Sequence, residues 1–152
     1  MNRVLMVCLG NICRSPMAEG ILRARASEMG LAIEIDSAGT SAQHSGETPD
    51  RRAIKCMADQ GIDIGNLRAR QFQKSDFDKF HAIYAMDQSN YQDILKLAST
   101  DEQRSKVHLF LEDFGNKAVP DPWFGHLDGF YKVFDMLDEA ARLHVSNWLK
   151  NS

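Results

Sequence analysis

The chain has 152 residues, 43% hydrophobic and 26% charged, which suits one globular domain over 1–152 and excludes both a disordered chain and two ordinary domains. Eighteen Lys and Arg against 21 Asp and Glu give a formal charge of −3, so a domain-wide basic footprint for nucleic acid is absent. Three cysteines make no disulfide scaffold and point to reduced thiols in the cytoplasm; no apolar run is long enough for a membrane span, and the N-terminus lacks a signal-peptide core.

Apolar runs alternate with helical patterns along the chain. Val4 to Val7 reads as a parallel strand buried on both faces. Pro16 marks a first helical position, Ser15 its cap, and Gly30 the end of that helix. Ala32 to Ile35 reads as the second strand, and Ser37 to Asp50 as a long loop. Asp50 to Gln60 reads as a helix closed by Gly61. Phe80 to Met86 is the third strand, Ser89 to Ala98 a helix capped by Ser89, and Val107 to Leu111 the fourth strand. The last helix runs from about Leu127 to Leu149, with Leu127, Phe130, Phe134, Leu137, Ala141, Val145 and Trp148 on one face. This alternation predicts an α/β domain, a parallel sheet with helices on both faces, binding ligands at the loops after the strands.

The stretch Val7 to Pro16 joins the first strand to a helix and is the most informative. Gly10 and Asn11 tolerate left-handed backbone angles, so the chain can curl there and turn successive N–H groups inward. The helix start adds free N–H donors and partial positive charge. Arg14 adds a planar fork for two anionic oxygens. The pattern predicts a tetrahedral oxyanion cradle formed by Leu9, Gly10, Asn11, Ile12, Cys13, Arg14 and Ser15, with Cys8 at its base. A free thiol of pKa about 8.5 is only about 3% thiolate at pH 7, whereas cysteines at helix N-termini beside cations ionise at about 3.5–7.5. Cys8 is thereby a candidate nucleophile. The loop is not a Walker A motif, and no zinc-ligand spacing links Cys8, Cys13, Cys56 and the histidines; neither a metal nor a cofactor is expected.

Cys8-Leu9-Gly10-Asn11-Ile12-Cys13-Arg14-Ser15-Pro16 resembles the signature of the low-molecular-weight protein tyrosine phosphatases. Asp36-Ser37-Ala38-Gly39-Thr40, Met86-Asp87-Gln88-Ser89-Asn90 and Asp121-Pro122-Trp123-Phe124-Gly125 match further segments in order, so the resemblance covers nearly the whole chain. It implies a four-stranded parallel sheet and a metal-free, two-step phosphoryl transfer from a tyrosine-phosphorylated protein. It implies Cys8 as nucleophile, Arg14 as phosphate clamp and Asp121 as general acid, then base. Inorganic phosphate and other tetrahedral oxyanions follow as product or inhibitors. Asn11, Ser15 and Ser37 resemble a loop-bracing set, Asp87 an orienter of Arg14 or a helix-start residue, and Cys13 a redox partner for Cys8. Trp123 and Phe124 read as aromatic pocket walls that also desolvate Asp121.

The sequence also departs from the family. Many members carry a histidine shortly before an Ala-Arg-Gln segment, where this chain has Asn66-Leu67-Arg68 before Ala69-Arg70-Gln71; this predicts a weaker or water-mediated brace on Asn11. Bacterial-type members line the pocket with a Trp-His-x-Gly stretch, here Gln43-His44-Ser45-Gly46, leaving one wall polar. A tyrosine pair after Asp-Pro is absent, and with it phosphorylation at that place. Of two relatives on this scaffold, the thiol-dependent arsenate reductases need a cysteine between Asp87 and Leu111, where none occurs. Arginine phosphatases carry a threonine where Ile12 stands. A catalytically dead phosphate-binding module would not need Cys8, Arg14 and Asp121 together.

Overall fold

The computed structural model describes residues 2–151; the domain bounds read from sequence run one residue beyond at each end. Four parallel strands, β1 (Arg3–Cys8), β2 (Glu34–Gly39), β3 (Ala82–Ala85) and β4 (Val107–Leu109), form one sheet in the order β2-β1-β3-β4. Even-numbered β1 residues Val4, Met6 and Cys8 face α1 (Arg14–Glu28), α2 (Arg51–Asp59) and α6 (Leu127–Lys150). Odd-numbered Leu5 and Val7 face the other layer, with α3 (Asp76–Lys79) and α4 (Gln88–Leu97) and the side chains Phe77 and Ile94. Both faces of the sheet are covered, which is why the β1 sequence is continuously apolar rather than alternating. A fifth helix, α5 (Asp101–Ser105), leads into β4.

The four-stranded parallel sheet flanked by helices is as expected, but several boundaries differ. β2 is not Ala32–Ile35: Met6, Val7 and Cys8 pair with Ser37, Ala38 and Gly39, so a segment read as loop is strand. Main-chain pairing is indifferent to polar side chains when these find partners, as Ser37 does. β3 is trimmed at both ends because Phe80 closes α3, and β4 stops at Leu109, with Leu111 leaving to bridge Lys117. Ser15 is not the α1 cap; Cys13 occupies that position and no side chain caps the helix. Pro16 is consequently the third helical residue rather than the first. Ser89 lies inside α4, whose cap is Asp87.

The order places β1 between β2 and β3, whose crossovers lead away in opposite directions, and so opens a crevice beyond its carboxyl end. Cys8 is the last residue of β1. Gly39, its partner at the end of β2, lies so close to the following loop that a Cβ there would sit 2.7 Å from the Leu9 carbonyl oxygen. No helix among the described residues is long and apolar enough to cross a membrane.

Candidate active site

Five residues carry the chain from the end of β1 to the start of α1, and they curl. Asn11 supplies the tight step with φ of 57°, a left-handed angle that asparagine tolerates better than most residues. Its N–H then points back at the Cys8 Sγ, 3.3 Å away, and the Ser15 hydroxyl lies 3.1 Å from the same sulfur. Cys8 and Arg14 are each at most 3% exposed, so the sulfur and the guanidinium sit in a nearly water-free base.

Asn11 is firmly braced despite the missing histidine. Its side-chain amide donates to the Ser15 Oγ at 2.7 Å and to the Ser37 Oγ at 3.0 Å, and its Oδ1 accepts the Arg70 backbone N–H at 3.0 Å. The weaker brace predicted from sequence is therefore corrected: a main-chain donor occupies Asn11 Oδ1 directly, so no ring is needed. The network continues inward, because the Ser37 hydroxyl donates to Glu19 Oε1 at 2.6 Å. Glu19 is buried on α1, which pushes its carboxyl above the ordinary value even though Ser37 and Arg23 oppose the rise. Sequence reading missed Glu19; its signal was a carboxylate one helical turn beyond Ser15, beside apolar Ala18 and Ile21.

Arg14 is fixed by two elements. Its Nη1 donates to Asp87 Oδ2 at 2.7 Å and to the Val119 carbonyl at 3.0 Å. Asp87 Oδ1 accepts the Asn90 N–H, so the two readings of Asp87 coexist: one oxygen caps α4 and the other orients the arginine. Burial opposes the charge on Arg14, but Cys8, Asp87 and Asp121 outweigh it and hold its pKa above the ordinary value.

Asp121 approaches from the far side. Its Oδ2 is 3.7 Å from Arg14 Nη2, while Oδ1 accepts the Trp123 N–H and caps a single 3₁₀ turn over Pro122–Phe124. The expected shielding by the aromatic pair does not occur. Phe124 is 91% exposed and Trp123 39%, and the Asp121 side chain keeps 34% of its surface in solvent. Asp-Pro begins a one-turn helix here, and its short turn leaves both rings on the rim.

A pocket of about 240 Å³ unites these groups, lined by Cys8, Leu9, Gly10, Ile12, Cys13 and Arg14 below and by Gln43, His44, Asp121, Trp123 and Phe124 around the mouth. Ser41 completes the lining and was not anticipated. His44 hydrogen-bonds Glu47 at 3.0 Å, and its ring centre lies 5.7 Å from that of Trp123. His44 thus sets a flat ring with a polar edge beside Trp123, while Gln43 stands where the tryptophan of other members would be. The side chains of Asn11, Ser15 and Ser37 lie behind the pocket rather than in it. Cys13 is reduced, and burial together with Asp50, Cys8 and Asp121 pushes its thiol pKa up. Cys56 is buried in the core, as its apolar neighbours suggested. Among the described residues no cluster of three or more His, Cys, Asp or Glu is arranged to hold a metal ion.

The family model for "Low molecular weight phosphotyrosine protein phosphatase" matches residues 3–151. The chain belongs to that family. A Schizosaccharomyces pombe protein of that name is 44% identical over 155 residues, which cover 98% of this chain and 96% of its own. The crystal structure of a protein tyrosine phosphatase from Entamoeba histolytica superposes with a TM-score of 0.93 at 31% identity, covering 99% of both chains. Vibrio vulnificus Wzb, solved in complex with benzylphosphonate, gives a TM-score of 0.87 at 28% identity over 96% of this chain and 98% of its own.

Proposed function

We propose that this phosphatase hydrolyses phosphotyrosine in proteins through a phosphocysteine intermediate on Cys8. The observation that carries the reading is the geometry at one sulfur. Cys8 Sγ receives the Asn11 N–H and faces the Ser15 hydroxyl at the floor of a pocket that also holds Arg14 and Asp121. The Asn11 N–H donates to the sulfur, and the uncapped start of α1 leaves further N–H groups free for an anion in the same loop. The benzylphosphonate bound by the Vibrio relative supports a phosphoryl group attached to an aromatic ring as the ligand class.

In the first step the Cys8 thiolate attacks phosphorus as the bond to the tyrosyl oxygen breaks. Arg14 and the N–H groups of Leu9, Gly10, Asn11, Ile12, Cys13, Arg14 and Ser15 hold the equatorial oxygens as charge redistributes. Asp121 delivers its proton to the departing oxygen, whose phenol has a pKa near 10 and leaves poorly as phenoxide. In the second step the Asp121 carboxylate takes a proton from water as that water attacks phosphorus. The S–P bond breaks, and the products are phosphate and the Cys8 thiolate. Asn11, Ser15 and Ser37 brace the loop, and Asp87 orients Arg14. Gln43, His44, Trp123 and Phe124 line the ring site.

The reading includes one phosphatase domain over 1–152 working in the cytoplasm on a protein substrate, with no metal, cofactor or nucleic acid taking part. It includes Cys13 as the thiol that condenses with an oxidised Cys8 sulfenic acid, releasing water and forming a disulfide. The test is rapid-quench trapping of phosphate on Cys8 during turnover of a phosphotyrosine peptide in chelator. A kcat/KM comparison with phosphoserine and phosphoarginine peptides accompanies it. A labelled Cys8 adduct and preference for phosphotyrosine are expected; turnover without an adduct overturns the mechanism.

A further inference from the structure

The segment that carries Asp121 is hydrogen-bonded to the rest of the fold at its two ends. At its entry the Val119 carbonyl accepts from Arg14 and the Val119 N–H donates to the Met86 carbonyl. Pro120 and Pro122 then offer no N–H to tie the segment down. At its exit, the carbonyls of Trp123 and Gly125 both accept from Arg52, at 3.0 and 2.9 Å. Arg52 belongs to α2, and its guanidinium also lies over the Phe130 and Trp123 rings, at 4.7 and 5.7 Å from their centres.

The adjacent edge of the same guanidinium, which shares Nη2, is held by Asp50. Nε meets Oδ1 at 3.0 Å and Nη2 meets Oδ2 at 2.9 Å, a two-point fork. The Asp50 N–H donates in turn to the Ile12 carbonyl at 2.8 Å, inside the loop that surrounds Cys8. One unbroken chain of bonds therefore runs from the Cys8 loop through Asp50 and Arg52 to the far end of the turn that Asp121 begins. Burial resists ionisation of Asp50, but the Arg52 side chain and N–H outweigh it and hold the carboxyl below its ordinary value, so the pair is charged at neutral pH.

We propose that Arg52, oriented by Asp50, is a positioning residue that fixes the Asp121 turn at a set distance from the Cys8 loop. The inference rests on Asp121 being the proton donor. A fork satisfied on both edges allows little rotation, and lysine, a single point of charge, cannot reproduce it. Displacement of a catalytic group by about 1 Å is enough to cost about 10²-fold in rate. Arg52 thus acts on proton delivery and leaves phosphate binding alone.

The test compares kcat/KM for phenyl phosphate, whose leaving group needs a proton, with 2,4-dinitrophenyl phosphate, whose leaving group does not. Arg52→Met keeps an apolar stem against Phe130 and Trp123 and removes the fork; Arg52→Lys keeps the charge, and Arg52→Ala removes both. All three are expected to lower phenyl phosphate turnover by about 10–100-fold and the dinitrophenyl ester by less than about 3-fold, with the inhibition constant of inorganic phosphate unchanged. In an Asp121→Asn background, Arg52→Met is expected to change phenyl phosphate turnover by less than about 2-fold, since no proton donor remains to be positioned. An equal fall for both esters, weaker phosphate inhibition, or the full loss persisting in the Asp121→Asn background overturns the proposal. If Asp121→Asn itself fails to discriminate between the esters, the proton-donor assignment falls instead, which separates the two failures.

Discussion

The loop around Cys8 and the segment around Asp121 face each other across one pocket, yet they are built in opposite ways. The first is buried, and its key amide, Asn11, has two donor contacts and one acceptor contact satisfied by neighbouring elements. The second lies on the rim, carries exposed Trp123 and Phe124, and depends on arginines from α1 and α2 for its anchors. Holding a phosphoryl group rewards rigidity and dryness, because prearranged dipoles need no reorganisation as charge shifts. Moving a proton to a bulky leaving group, and then admitting water, requires an open mouth. The enzyme divides these demands between two loops.

Breaking the buried half is expected to have the larger effect. Cys8→Ser should abolish turnover of p-nitrophenyl phosphate while leaving phosphate binding by calorimetry, since the cradle remains and only the nucleophile is lost. Asp121→Ala, on the open half, should lower kcat/KM for phenyl phosphate by about 10²–10⁴-fold, the usual worth of a general acid, with a much smaller fall for activated esters. Asn11→Ala removes three hydrogen bonds and puts alanine at a left-handed angle. It should destabilise the fold by about 1–3 kcal/mol in urea titration, because buried Ser37 and the Arg70 N–H lose partners.

The smallest effect separates the halves by sign. Glu19, behind the buried loop, has its carboxyl held above the ordinary value, so folding favours its protonated form. Its contribution is greatest below the unfolded pKa and declines as pH rises through the folded one. Asp50, beside the open loop, is held below its ordinary value. Its contribution is present above the unfolded pKa and is lost as pH falls through the folded one. Melting temperatures across acid pH should show Glu19→Gln flattening a decline towards neutrality and Asp50→Asn removing a loss at the acid end. Matching trends in both variants would contradict the contrast.

The composition of β1, the Gly10-Asn11 curl and the Cys8-to-Arg14 spacing were enough to read a buried parallel strand feeding an anion cradle. Those features are local: an apolar run, turn chemistry and a helix start act over a few residues. Polar segments were harder to read. Ser37 to Gly39 looked like loop because strand pairing depends on what lies beside the segment, and β1 supplies that partner. Ser15 and Ser89 looked like caps, but the helices begin where the chain leaves the sheet, and Ser15 turns instead to the Cys8 sulfur.

The sequence alone determined the α/β plan and the residues at the base of the pocket, since these follow from short-range backbone preferences and from burial. Only the tertiary structure decided that the Arg70 main chain braces Asn11, that Glu19 ends the network behind it, and that Arg52 ties Asp121 to the Cys8 loop. Each of those contacts joins residues far apart in the chain, and their partners are chosen by how the layers pack.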